Sequence, residues 1–166
     1  MVAVNAVGSA VIGDSGRFWA AAHEIDDEFG GLGLPARWPH DATDPKLKGA
    51  VPTTGAATTI AGIATDAALT KAQAKRLAIQ AHDGFARALW PAHTPLDGDL
   101  VFALSTEERP LGDPLGDMVG LGITAAEVMA RAIARGVHAA RPKPYDALPT
   151  WEDLWDDGGP IPQLVL

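Results

Sequence analysis

The chain has 166 residues, 47% of them hydrophobic and 20% charged, with 18 Gly and 13 Pro; this is too apolar for a disordered chain and too aperiodic for a fibrous one, and it suits one domain that buries roughly 70% of its unfolded surface. Twenty-one acidic residues against 13 basic ones leave a net charge of −8, which repels phosphate backbones and argues against a nucleic-acid partner. There is no cysteine, so disulfides, thiol nucleophiles and thiolate metal sites are excluded, and every apolar run is shorter than the roughly 18 residues of a membrane helix, so that a soluble, cytoplasmic protein without a membrane partner is expected.

The opening Val2-Ala3-Val4-Asn5-Ala6-Val7 is short, β-branched and apolar, and it stops at Gly8-Ser9. It predicts a buried strand over 2–7. A strand this close to the first residue has nothing ahead of it to anchor its entry, and the chain is expected to be truncated. Residues 13–55 are punctuated by Gly and Pro and hold no sustained period. They read as a long loop of a kind uncommon in compact domains unless functional, with Trp19 and Trp38 pinning parts of it to the surface. Thr58 to Thr65 then predicts a strand over 58–65, closed by Asp66. Thr70-Lys71-Ala72-Gln73 is a capping box, and the apolar spacing of Ala74, Leu77, Ala78, Ala81, Phe85 and Leu89 predicts a helix over 71–89, ended by Pro91. Asp97-Gly98-Asp99 is a turn, and Leu100 to Thr106 predicts a strand over 100–106. A second capping box, Thr124-Ala125-Ala126-Glu127, predicts a helix over 125–139. The expected organisation is therefore an α+β unit over residues 1–140, followed by an irregular tail at 141–166 that packs through Trp151 and Trp155.

Most familiar chemistries fail on spacing. The histidines His23, His40, His82, His93 and His138 are scattered and lack a His-x-x-x-His pair, so no metal site is expected, and His82 reads as a plain surface histidine. Asp97 and Asp99 offer too few oxygens for Ca²⁺. Neither a phosphate-cradling glycine loop nor a Gly-x-Ser-x-Gly elbow is present, and no cofactor is expected. What remains is Gly55-Ala56-Ala57-Thr58-Thr59-Ile60, where small residues run into a strand that starts with a hydroxyl. Such a threonine can act as an N-terminal nucleophile once the preceding peptide bond is cut, because its own α-amine then serves as general base. It can equally stand there for its β-propensity alone.

Three ordered stretches go further: Thr58 through Ala74, then Ala81-His82-Asp83-Gly84-Phe85-Ala86-Arg87-Ala88, then His93-Thr94-Pro95-Leu96-Asp97-Gly98-Asp99 through Ala103. Together they resemble the L-aminopeptidase/D-esterase family, which also contains the β-aminopeptidases and the nylon-oligomer hydrolases. The opening Val2 through Ser9 is similar to the family segment that supplies an active-site Asn, and the resemblance covers residues 1 to about 140. It implies a self-processing amide or peptide hydrolase, with an αββα sandwich of the N-terminal-nucleophile kind that is only partial here. It further implies Thr58 as nucleophile, self-cleavage between Ala57 and Thr58, Asn5 as the group polarising the reacting carbonyl, and Asp97 and Asp99 as the acidic pair supporting the nucleophile. A small peptide or amino-amide substrate and a homo-oligomer are implied as partners.

Two departures from the family pattern stand out. Ala57 replaces the usual Asn ahead of the nucleophile, and the family precursor is longer at its N-terminus, where it supplies strands, a catalytic Lys or Tyr and much of the pocket. A missing N-terminal half is therefore an implied partner. The competing expectations are an uncleaved, inactive remnant that only binds or oligomerises, and an unrelated α/β domain in which Thr58 is structural.

Overall fold

The computed structural model describes residues 1–44, 57–146 and 148–155, in the order β1 (Val2–Ala3), a 3-10 helix (Trp19–His23), β2 (Ile60–Ala67), α1 (Lys71–Ala81), α2 (Asp83–Ala88), β3 (Leu100–Arg109), α3 (Pro114–His138) and α4 (Trp151–Trp155). The three strands form one sheet in the order β1-β2-β3. β1 runs antiparallel to β2, with Val2 opposite Ala61 and Ala3 opposite Ile60. β2 runs parallel to β3, from Ile60 opposite Leu100 to Thr65 opposite Ser105, and the register slips before Ala67 meets Arg109. Parallel neighbours need a crossover, which α1 and α2 supply. The architecture is mixed α/β.

Side chains alternate across the sheet as the pleat dictates. Ala61, Ile63 and Ala67 of β2 are buried with Leu77 of α1, Phe85 of α2 and Met129 and Ile133 of α3 in one apolar core. The opposite face carries Ile60, Phe102 and Leu104, and it is open, with Phe102 66% and Leu104 62% exposed.

The first helix starts where the capping box places it: the Thr70 hydroxyl accepts from the Gln73 N–H at 3.3 Å, and the Gln73 side chain accepts from the Thr70 N–H at 2.9 Å. The structure differs in dividing the expected helix 71–89 at His82. There the hydrogen bonds tighten to three-residue steps, His82 N–H to Ile79 O at 3.3 Å and Phe85 N–H to His82 O at 3.0 Å. Past that step α2 lies directly against α3. A Cβ at Gly84 would meet Ala126 O at 2.5 Å and Met129 Cβ at 2.6 Å, so this contact is open only to glycine.

The second helix also differs, since α3 begins at Pro114 rather than 125. Asp113 is its N-cap, accepting from the Leu115 N–H at 3.2 Å, and Pro114 fits the first turn, where no N–H is needed. Thr124 and Glu127 therefore lie inside α3. Gly116, Gly120 and Gly122 dilute the apolar period ahead of them, and Gly122 lets α1 approach, because a Cβ there would lie 2.2 Å from Gln80 Nε2.

The described part of the long loop, up to residue 44, is tied to the helices rather than hanging free, and residues 45–55 of that loop lie outside the described residues. Glu28 pairs with Arg131 and with Arg135. The Arg131 hydrogen bond, followed by its charge, holds the Glu28 carboxyl below its ordinary value against the opposing effect of burial. Trp19 stacks on Trp38 at 5.8 Å. In the tail, residues 151–155 are helical instead of irregular, and buried Trp151 stacks on Phe18 at 5.9 Å while its indole N–H donates to Gly16 O at 2.9 Å. The tail beyond 155 lies outside the described residues. No described helix is long and apolar enough to cross a membrane.

Candidate active site

Three chain segments converge at one end of the sheet: the continuation of β1, the residues just ahead of β2, and the turn ahead of β3. Ala57 pairs with Asp97 as an isolated parallel bridge. From it the Gly98 N–H donates to Ala57 O at 3.0 Å and the Leu100 N–H to Thr59 O at 3.1 Å, which extends the β2–β3 ladder past its regular start. The Thr58 N–H donates to Asn5 O at 2.8 Å. The Thr58 hydroxyl donates back to Ala57 O at 2.7 Å. The carbonyl of Ala57 thus receives two donors, one from the residue that follows it and one from a main-chain amide across the ladder. Ala57 and Thr59 are buried, at 3% and 0% exposure, and Thr58 between them is half-buried.

The regular strands stop short here because side-chain oxygens replace main-chain carbonyls as acceptors. The Asn5 N–H donates to Thr59 Oγ1 at 3.3 Å, the Val7 N–H to Asp97 Oδ1 at 3.0 Å and the Thr59 N–H to Asp99 Oδ1 at 2.9 Å. That substitution is why β1 ends at Ala3 instead of residue 7 and β2 begins at Ile60 instead of residue 58. Main-chain amides are still satisfied, as burial demands, but by one hydroxyl and two carboxylates.

Thr58, Asn5, Asp97 and Asp99 therefore share one hydrogen-bonded knot, in a way that spacing does not reveal. The hydrogen bonds of the two carboxylates reach the residues around Thr58 and not its hydroxyl. Asp97 Oδ2 accepts from the Thr94 N–H at 2.9 Å and the Thr94 hydroxyl at 2.7 Å, closing the turn. Asp99, with a side chain only 3% exposed, places Oδ2 at 2.8 Å from His93 Nδ1. Asn5 brackets Thr58 through its main chain, and it borders a cavity of about 550 Å³ that Leu89, Val137 and Trp151 also line.

Three residues of this knot escape sequence reasoning. Gly98 contributes an N–H and the space beside it: a Cβ there would lie 2.8 Å from Thr58 Oγ1. His93 and His82 are the other two, and the expectation of a plain surface histidine at His82 differs from what the structure shows. Its Nδ1 lies 3.3 Å from His93 Nε2, and both rings stack on buried Phe85, at 5.4 and 5.0 Å. Burial, and then the neighbouring His93, hold the His82 imidazole below its ordinary value. Asp99, His93 and His82 form a line and do not converge on a point; among the described residues no group of three His, Asp or Glu could hold a metal ion.

Comparison with known proteins agrees with the motifs. An uncharacterized aminopeptidase of Mycobacterium tuberculosis is 44% identical over 108 residues, which cover 59% of this chain and 31% of that protein. One from Mycobacterium leprae is 37% identical over 150 residues, 84% of this chain and 40% of the relative. A 6-aminohexanoate-oligomer endohydrolase of Paenarthrobacter ureafaciens is 35% identical over 84 residues, 46% of this chain and 24% of the relative. The chain thus spans well under half the length of these curated relatives. The family model of peptidase family S58 matches residues 1–145, a stretch that holds every motif behind the L-aminopeptidase/D-esterase resemblance and the whole hydrogen-bonded knot. The chain belongs to peptidase family S58.

Proposed function

We propose that this chain is the nucleophile-bearing part of a self-processing amide hydrolase, cut between Ala57 and Thr58 and working through the threonine so exposed. The observation that carries this reading is the convergence of the Thr58 hydroxyl and the Gly98 N–H on the Ala57 carbonyl, at 2.7 and 3.0 Å. In the processing step Thr58 Oγ bonds to the Ala57 carbonyl carbon, and the negative charge that develops on the carbonyl oxygen rests on the Gly98 N–H. The C–N bond then breaks, and the hydroxyl proton passes to the departing nitrogen. This leaves an ester, which water hydrolyses to an Ala57 carboxylate and a free Thr58 α-amine.

The second role follows from the first. A free α-amine, with an ordinary pKa of about 7.7 to 8.0, can take the proton of its own hydroxyl near neutral pH. A substrate amide carbonyl occupying the place of the Ala57 carbonyl meets the same amide donor, with the Asn5 side chain as a second one. Asp97 and Asp99 hold the flanking main chain in place. The names of the relatives, aminopeptidases and an oligomer endohydrolase, favour small peptides or amino amides as substrates. Ala57 in place of Asn is compatible with the cut, since the Thr58 hydroxyl and the Gly98 N–H act on the carbonyl and not on the preceding side chain. The open sheet face bearing Phe102 and Leu104 suits a second sheet layer, as in an αββα sandwich completed by an N-terminal half or within a homo-oligomer.

Intact-mass measurement after incubation at about pH 8, where the α-amine is partly free, tests this reading. Two pieces, the larger beginning at Thr58, together with hydrolysis of aminoacyl amides, are expected. One uncut species that hydrolyses none of them overturns the reading in favour of an uncleaved remnant. Gly98→Ala probes the same geometry: the new methyl pushes Thr58 Oγ1 from its place beside the Ala57 carbonyl, and processing slows about 100-fold, as misplacement by about 1 Å does elsewhere. The time course of the cut by mass spectrometry measures it.

A further inference from the structure

The geometry points to His93 as the positioning residue for Thr58: through Asp99 it fixes the main chain of Thr59, and the single proton it shares with His82 sets how firmly the nucleophile is presented. This rests on the reading of Thr58 as nucleophile, and it adds a control of that same site.

The connection is short. The Thr59 N–H and His93 Nδ1 lie on the two oxygens of Asp99, at 2.9 and 2.8 Å. A carboxylate as enclosed as Asp99 holds its orientation only while both partners remain, because an ionised group shut away from water is costly without them. Removing the imidazole therefore loosens the oxygen that anchors Thr59, one residue from the attacking hydroxyl.

His82 makes the device responsive to protons. A neutral His93 that donates from Nδ1 to Asp99 can only accept at Nε2, so His82 Nδ1 donates; a charged His93 donates from Nε2 and His82 Nδ1 accepts. Two charged rings would set N–H against N–H across 3.3 Å. The pair thus holds at most one charge, and the ring that lies against the Asp99 carboxylate is that of His93, at 2.8 Å. A charged donor binds that carboxylate more strongly than a neutral one. The charged groups facing the pair are Asp99, just ahead of β3, and Asp83 on α2, while Phe85 supplies an apolar wall.

Two variants separate positioning from bulk structure. In His93→Ala the donor to Asp99 is lost, and processing at Ala57–Thr58 is expected to slow about 100-fold. In His93→Asn the side-chain amide reproduces the Nδ1 donor without an ionisable ring, so most of the rate returns while its pH dependence between about pH 5 and 8 flattens. A second readout needs no cleavage: in the ¹⁵N-labelled full chain carrying Thr58→Ala, the Thr59 amide resonance shifts with pH over that range, and His93→Asn abolishes the shift. A Thr59 resonance that titrates equally in His93→Asn, a His93→Ala chain that cuts at the parent rate, or a His93→Asn chain as slow as His93→Ala each overturns the proposal. Should the parent chain not cut itself, the Thr58 reading falls alone, and the Thr59 titration decides the part played by His93.

Discussion

Thr58→Ala is expected to remain one uncut chain however long it is held at about pH 8, a loss on the order of 10⁶-fold where a hydrolase has been deprived of its nucleophile. The hydroxyl is the group hydrogen-bonded to the Ala57 carbonyl from within the same dipeptide, and the other donor to that carbonyl among the described residues, the Gly98 N–H, is not a nucleophile. Folding survives the change, because the Ala57 carbonyl keeps the Gly98 donor and the half-buried side chain gives up a single hydrogen bond, about 1 kcal/mol. Thr58→Ser keeps the oxygen and continues to cut. It does so more slowly, since without the β-methyl the hydroxyl visits more rotamers. Intact mass reads the cut and thermal unfolding reads the fold; a Thr58→Ala chain that still splits after Ala57 removes Thr58 from the chemistry.

Gly8→Ala is expected to destabilise the fold more than any other single methyl in the described residues. A Cβ at Gly8 would lie 2.0 Å from Pro91 O and 2.7 Å from both Pro91 N and Trp90 C. All three are main-chain atoms, so no side-chain rotation relieves the overlap, and the backbone must part. The place where it parts is held by the paired bonds of Ser9 and Trp90, N–H to O at 2.9 Å in both directions. A cost of about 4 kcal/mol is in keeping with the severe end of single substitutions, which at this chain length lowers Tm by roughly 8 to 16 °C. Gly120→Ala is the control. It sits in the exposed part of α3 with nothing within 4 Å of its Cβ, and in a helix interior it adds up to about 1 kcal/mol of stability. Circular dichroism melts of the two variants should move in opposite directions, and an unchanged Gly8→Ala melt contradicts the contact.

What was legible in the sequence was what side-chain pattern governs. The Thr70–Gln73 capping box starts α1 because both of its side chains reach amides within one turn. The acidic pair around Gly98 is visible as letters, yet its use is not: only the folded turn shows that Asp97 holds Val7 and that Asp99 holds Thr59. Gly98 leaves no trace because its contribution is a main-chain amide and an empty place. His82 and His93 stand eleven positions apart with a helix and a turn between them, a separation that no helical or strand period brings together. The start of α3 was hidden for a different reason, since three glycines weaken the apolar stripe between Asp113 and Thr124, and the Asp113 cap with Pro114 opens the helix ahead of them.

The bracing of the Ala57–Thr58 junction from both sides decides what a cut there does to the molecule. Upstream, β1 stays hydrogen-bonded to β2, Val7 to Asp97 and Ser9 to Trp90. Hydrolysis of that one bond therefore resembles a nick in a zipped duplex: it removes a covalent link and leaves the pairing in place. The two pieces part only when the sheet itself unfolds, and from then on refolding is a reaction of second order, in which dilution alone shifts the balance toward separated halves.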